Sequence, residues 1–436
     1  MMEYLIDIQQ NHNNPEGLEA LYQFSRKEHA ETAFKTALFT SYEQDPGNVL
    51  YAAWYYRLSQ VEEEVEKPEH GINWRIAIPL ALLTGLIFWG LSADELQLLD
   101  QIPVLALVGA PLAALAIIAF LFLGGQRAKM PAVWTGLALV ALPGYVYLIH
   151  PTMPTFLQET YLTMAIFHIA LLSWVGIGWS VLGRGADENA RLAFILKSFE
   201  VLVTAGLYAI AGGIFSGVAI GMFTALGVEL PEAVARLIFA GGAGVISVIA
   251  VASVYDPLRD PATQTFGQGV SRLMPILVRL LLPATLLVLL IYVALIPFNF
   301  RAPIENRDVL IINNGMLFAV MGLLVGATPL KEQDLPAKIR SWMRRGIIAV
   351  ASLAILVSLH ALTAILFRTF ADSLTINRTI VIGWNLANLG ILLTLLANQF
   401  RPGISWVTGL QKTFSLGSMI YLIWGLFVIL AIPLFY

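Results

Sequence analysis

Residues 102–124 read IPVLALVGAPLAALAIIAFLFLG, a run of 23 residues without one charged side chain. A helix needs roughly 20 consecutive apolar residues to cross the hydrocarbon layer of a bilayer, so this stretch by itself predicts a membrane protein. Ten more stretches obey the same rule, at about 74–92, 131–149, 160–182, 200–226, 234–254, 275–296, 309–328, 347–367, 378–397 and 414–434. The predicted fold is all-α: a polytopic transmembrane helix bundle of about 11 spans over residues 73–436, preceded by a small soluble helical domain over residues 1–72. Composition agrees, since 58% of the 436 residues are hydrophobic and 13% charged, more apolar surface than a water-soluble chain of this length buries. The absence of cysteine excludes disulfides, thiolate metal sites and cysteine nucleophiles.

Charge placement predicts the orientation. Short loops rich in Lys and Arg stay on the cytoplasmic face during insertion. With the N-terminus inside, 15 Lys and Arg fall in cytoplasmic loops and helix ends; the 5 outside are Arg236, Arg301, Arg307, Arg368 and Arg378. Eleven spans then leave Tyr436 extracytoplasmic. The stretch from Met1 to Asn14 is polar and acidic and lacks the basic start and apolar run of a signal peptide, which keeps the first domain in the cytoplasm.

Within that domain Leu18, Leu21 and Tyr22, then Ala30, Ala33, Phe34, Ala37 and Leu38, then Leu50, Ala53, Trp54 and Leu58 fall at helical spacing. Asp45-Pro46-Gly47-Asn48 is a turn signal. The pattern predicts a helical hairpin or three-helix domain ending in an acidic tether, Glu62 to Glu69. It resembles one tetratricopeptide unit, but such solenoids need about three copies and no second copy is present. A private helical cap is the preferred reading over a repeat-type peptide binder; the scaffold reading places a cytoplasmic protein partner on residues 1–70.

Polar residues inside a bilayer are costly and therefore informative. Of 29 Asp and Glu, only Glu200 falls within a predicted span, at its start and one turn after Lys197, which predicts an interfacial i,i+3 ion pair. Ion-coupled transporters keep an acid near the midplane, so proton or sodium coupling is disfavoured. His168, His360, Asn313, Asn314, Asn385 and Asn388 share one depth in the outer half of their spans. Above them two loops bring Arg301, Glu305, Arg307 and Asp308, and Arg368, Asp372, Asn377 and Arg378. One reading is an outward-facing polar vestibule built from spans 7 to 10, whose arginines hold an anionic or amphiphilic ligand. The other is that these groups tie helix ends together by hydrogen bonds.

Gly213, Gly217 and Gly221 recur every four residues on the fifth span, and Gly241, Gly242 and Gly244 lie on the sixth. Such small-residue ridges predict a tight contact between those two spans. Pro79, Pro111, Pro143 and Pro283 lie within other spans, without the matched pair of broken helices that marks inverted-repeat transporters. No phosphate-binding Gly-x-x-x-x-Gly-Lys-Ser/Thr loop, no His-Glu-x-x-His and no Gly-x-Ser-x-Gly elbow occurs. The residues imply no cofactor, no metal and no nucleic-acid partner. A His/Asp site assembled from outer loops, such as His360 with Asp372 or Asp308, stays open.

The stretch from about Leu280 to Leu396, with Tyr292 before a charged outer loop and then the run RTFADSLTINRTIVIGWN over 368–385, resembles the bacterial polytopic membrane family called domain of unknown function 4153. Members of that group carry an Arg followed by Gly-Leu-Thr-x-Asn-Arg-Tyr ahead of a hydrophobic span. Arg368, Leu374, Thr375, Asn377 and Arg378 match; Asp372 and Ser373 stand where Tyr and Gly are usual, and Thr379 replaces the final Tyr. The resemblance implies a bacterial inner-membrane protein and brings no activity with it. The function expected from the sequence is that of a non-enzymatic component, permease-like or an envelope scaffold, contacting membrane lipids. The alternative is an enzyme acting on a lipid-linked or anionic substrate at the outer face.

Overall fold

The computed structural model describes residues 2–27, 30–65, 72–99, 102–125, 129–183, 185–225, 230–266, 273–330 and 337–436. The chain divides into two compact units, Met1–Gly71 and Ile72–Tyr436.

The first unit holds four helices rather than three: α1 (Met2–Gln10), α2 (Pro15–Lys27), α3 (Glu31–Gln44) and α4 (Val49–Val65). The additional one, α1, forms in the stretch that reads as polar because Tyr4, Leu5 and Ile8 share one helical face, and Ile8 is completely buried. Ile8, Leu18, Phe34, Leu38, Tyr51, Trp54 and Leu58 make its core. The predicted turn leads into α4, where the Asn48 side chain accepts hydrogen bonds from the N–H groups of Leu50 (2.9 Å) and Tyr51 (3.1 Å), as an N-cap residue does. Glu62, Glu63 and Glu64 continue α4; the remainder of the expected tether, 66–69, lies outside the described residues.

Among the described residues of the second unit, 11 helices are long and apolar enough to cross a membrane. They are span 1 (Trp74–Leu91), span 2 (Val104–Gly124), span 3 (Pro131–Thr152), span 4 (Thr155–Leu182), span 5 (Glu188–Gly217) and span 6 (Glu232–Val254), followed by span 7 (Leu280–Phe298), span 8 (Val309–Gly326), span 9 (Ile339–Ala371), span 10 (Ile376–Phe400) and span 11 (Trp406–Leu430). Helices satisfy their own backbone, which is why apolar runs become helices in lipid. Three large apolar cores and two smaller clusters result among the described residues. One joins spans 1, 2, 4, 5 and 6 around Phe120, Phe194 and Val248. A second joins spans 2, 3, 4, 10 and 11 around Tyr161 and Ile429, and the third joins spans 7 to 11 around Leu324, Ala354, Leu392 and Leu410.

Two expectations are corrected. Span 5 begins at Glu188 rather than near residue 200, because Leu192, Ala193, Phe194, Ile195 and Leu196 are buried inside the bundle. Lys197 and Glu200 therefore sit among packed helices, not at a helix start. Spans 5 and 6 do meet, through the Tyr208–Ser253 hydroxyl pair (3.0 Å) and a shared apolar core, but not through the described glycines of span 5; the surroundings of Gly221 lie outside the described set. Gly206, Gly212, Gly213 and Gly217 have open space where a Cβ would stand, and residues 206–215 are exposed on every face. The glycines of span 6 meet span 1: a Cβ on Gly85 would come within 2.9 Å of the Gly241 carbonyl oxygen, and one on Gly244 within 2.8 Å of the Thr84 carbonyl oxygen. A π-helical turn, Leu237–Gly241, precedes this crossing, and the Trp89 indole donates to the Ala233 carbonyl across it (2.8 Å). Small residues permit close approach without compelling it, since hydrocarbon solvates an apolar helix as well as another helix does.

Candidate functional site

Burial of the first half of span 5 creates a cavity. Its volume is about 580 Å³, and spans 2, 4, 5, 6, 8, 10 and 11 line it. The wall is apolar apart from the Lys197 side chain and the hydroxyls of Ser198, Ser247, Tyr255, Ser418 and Tyr421. Two lining side chains are exposed: Leu202 at 66% and Phe318 at 41%. Leu202 stands in the middle part of span 5 and Phe318 in the middle of span 8, so the exposed part of the wall is on the flank of the bundle, between the ends of these helices. A cavity so poor in polar partners does not hold water well and favours apolar guests.

Lys197 is held tightly. Its ammonium donates to Glu200 Oε2 (2.7 Å) and to the Thr265 carbonyl (2.5 Å), and stands 5.1 Å from the Phe266 ring centroid. Both charged side chains are almost fully buried. The predicted i,i+3 pair exists, but as a desolvated pair whose attraction offsets a large desolvation cost.

One edge of the cavity is closed by a cluster that the sequence analysis only partly located. His168 does not join His360. The Trp384 indole donates to His168 Nε2 (3.1 Å), and His168 Nδ1 lies 2.7 Å from the Met164 carbonyl oxygen. The carbonyl can only accept and the indole can only donate, so the two partners define a neutral imidazole protonated on Nδ1. Trp384 is also within ring contact of Phe318 (5.3 Å) and Tyr421 (5.0 Å), and the Tyr421 hydroxyl donates to Asn388 Oδ1. Further along, Asn385 Nδ2 donates to Asn314 Oδ1 (2.7 Å) and the Tyr292 hydroxyl to Asn313 Oδ1 (2.7 Å). These pairs form a buried belt across spans 4, 7, 8, 10 and 11. The asparagines were legible as interior polar residues; Trp384, Tyr421 and Tyr292 were not, because aromatic residues in a span carry no polar signal of their own.

The outer-loop residues are placed in two groups. In the first, His360 Nε2 lies 3.0 Å from the Phe300 carbonyl oxygen, and the rings of the two residues are 5.2 Å apart. This pins the loop that bears exposed Arg301 onto span 9. Arg307 and Asp308 begin the helix of span 8, their side chains lying outside the described set. In the second, Arg378 pairs with Asp372 (2.8 Å) and donates to the Ser373 carbonyl (2.6 Å). Arg368 Nη1 and Asn377 Oδ1 are buried without a hydrogen-bond partner. Between the groups Leu310, Ala361, Ala364 and Ile365 form an apolar plug with Ile304 and Val381. His360 is thus engaged by a backbone carbonyl rather than by Asp372. Among the described residues no group of three or more His, Asp and Glu comes together as a metal site would require.

Eleven apolar helices around these cores make the chain a multi-pass membrane protein with an all-α bundle. No protein-family model matches it, and neither the curated proteins nor the solved structures compared with it include a match.

Proposed function

We propose that this protein is a non-enzymatic, permease-like membrane component that admits the apolar chain of an amphiphile from the bilayer into the cavity between spans 5 and 8. The carrying observation is that cavity, about 580 Å³ and apolar, whose exposed wall residues Leu202 and Phe318 stand well inside spans 5 and 8, which in a bilayer is the depth of the hydrocarbon. Only a molecule already dissolved in the hydrocarbon reaches an opening there. In this reading the Trp384–His168 and Tyr421–Asn388 pairs separate the cavity from the two outer-loop groups that hold Arg301 and Arg378. The pole rich in Lys and Arg lies in the cytoplasm, and the resemblance over 368–385 supports a bacterial inner membrane.

The test is to fill the cavity. A Cβ on Gly322 meets nothing closer than the Phe199 ring at 3.8 Å, so Gly322→Leu extends into open volume without a clash. Lipid co-purifying with the whole chain in mild detergent is counted by native mass spectrometry. Wild type is expected to retain one lipid where Gly322→Leu retains none at equal thermal stability. Equal retention by both sinks the proposal.

A further inference from the structure

Arg191 lies at the start of span 5, half-buried. Its Nη1 donates to Ser415 Oγ (3.1 Å) and approaches Met419 Sδ (3.8 Å). A hydroxyl and a thioether do not neutralise a guanidinium, and no carboxylate among the described residues pairs with it. Lys197, by contrast, is committed to Glu200. Arg191 is followed by Ile195, Ser198, Leu202 and Ala205 at i+4, i+7, i+11 and i+14, which is one face of a helix. All four of those residues line the cavity. The stripe therefore begins with an unneutralised cation, runs along the apolar wall, and reaches the flank opening at Leu202, about 16 Å away at the helical rise of 1.5 Å per residue. Beside its charged end lies an amide pair, Gln411 Nε2 to Asn189 Oδ1 at 3.4 Å, with Gln411 also donating to the Leu330 carbonyl (3.0 Å).

Resting on the cavity reading above, we infer that the occupant is an anionic lipid, its phosphate-bearing headgroup on Arg191 and one acyl chain along the Ile195–Leu202 stripe. A guanidinium presents paired N–H donors that match phosphate oxygens, and the Ser415 hydroxyl, already bonded to Arg191, lies within the same site. The separation of one cation from an otherwise apolar wall by a helix turn is the arrangement an amphiphile requires: charge at the end, hydrocarbon along the side. The occupant is singly anchored, because the second buried cation is already paired.

The experiment uses the full chain in detergent, titrated with phosphatidylglycerol, with phosphatidylcholine of identical chains, and with inorganic phosphate, read by native mass spectrometry. Phosphatidylglycerol is expected to bind about tenfold tighter than phosphatidylcholine, whose choline cation offsets the phosphodiester charge that the guanidinium reads; tenfold corresponds to about 1.4 kcal/mol. Arg191→Gln is expected to bring the two lipids level, Arg191→Lys to keep part of the preference, and inorganic phosphate not to displace the lipid. Equal binding of the two lipids by wild type, or an unchanged preference in a folded Arg191→Gln, overturns the headgroup assignment while leaving the cavity intact if Gly322→Leu still expels both. Displacement by inorganic phosphate reassigns Arg191 to a free anion and also overturns it. Binding of neither lipid, or indifference to Gly322→Leu, overturns the cavity reading itself. Should Arg191→Gln fail to fold, the wild-type preference and Arg191→Lys decide the matter.

Discussion

Trp384 of span 10 donates its indole N–H to Nε2 of His168 on span 4 at 3.1 Å, and this bond joins residues 216 positions apart at the edge of the cavity. His168 is 5% exposed and Trp384 half-buried, so Nε2 has little water to fall back on. Trp384→Phe leaves Nε2 buried without a donor, and His168→Leu leaves the indole N–H without an acceptor. Each is expected to cost about 1–2 kcal/mol. The double variant should cost less than the sum, measured by reversible unfolding in mixed micelles. Additivity within about 0.5 kcal/mol would mean that the two residues do not interact.

The glycine crossing between spans 1 and 6 makes a paired prediction. Gly244→Leu forces a side chain against the Thr84 carbonyl and should destabilise by about 1–3 kcal/mol or more, as overpacking does. Gly213→Leu, where a Cβ meets open space, should be neutral in the same melting assay. The opposite ranking would place the close glycine contact between spans 5 and 6 after all.

For the buried Lys197–Glu200 pair, removing one partner is worse than removing both. Glu200→Gln should lower stability by about 3–5 kcal/mol, since an ammonium with side-chain exposure of only 4% loses its countercharge. Lys197→Met combined with Glu200→Leu should recover most of that loss. A double variant no more stable than the single one would show that the pair contributes more than its own desolvation cost.

Orientation is checked with a reporter active only in the cytoplasm. Fused after Lys331 it should give signal, and fused after Tyr436 it should not, following the 15-to-5 bias of Lys and Arg. Equal signals at the two sites contradict an odd number of spans.

In the N-terminal unit the buried Tyr51 hydroxyl donates to the Ile8 carbonyl (3.2 Å). Burial, reinforced by the Asp45 carboxylate, raises its pKa above the ordinary tyrosine value. A raised acid pKa means that the fold favours the neutral phenol. The associated stability is full below the unfolded tyrosine pKa of about 10 and is lost as pH rises through the folded value. Residues 1–71 alone should be helical by circular dichroism and lose helicity in that alkaline window. Tyr51→Phe should weaken the unit by about 1 kcal/mol at neutral pH and flatten the alkaline loss. An unchanged alkaline transition in the variant assigns it to another group.

The spans themselves were decided by the sequence, because crossing a bilayer is a local demand: enough apolar residues in a row, with backbone groups satisfied inside one helix. Residues 102–124 meet that demand whatever their neighbours are. The same holds for the N-terminal apolar stripes and for the depth of Asn313, Asn314, Asn385 and Asn388. Which helix faces which was decided only by the tertiary structure. Gly244 lies against Thr84 and Gly85, at least 159 positions away in the chain, and nothing in the glycine spacing distinguishes that partner from span 5. Likewise His168 meets Trp384 rather than His360, and Lys197 lines a cavity instead of a membrane surface. In lipid an apolar helix gains little from burial as such, so partners are chosen by shape and by the need to satisfy buried polar groups. Those are properties of pairs of helices, and a single linear pattern does not contain them.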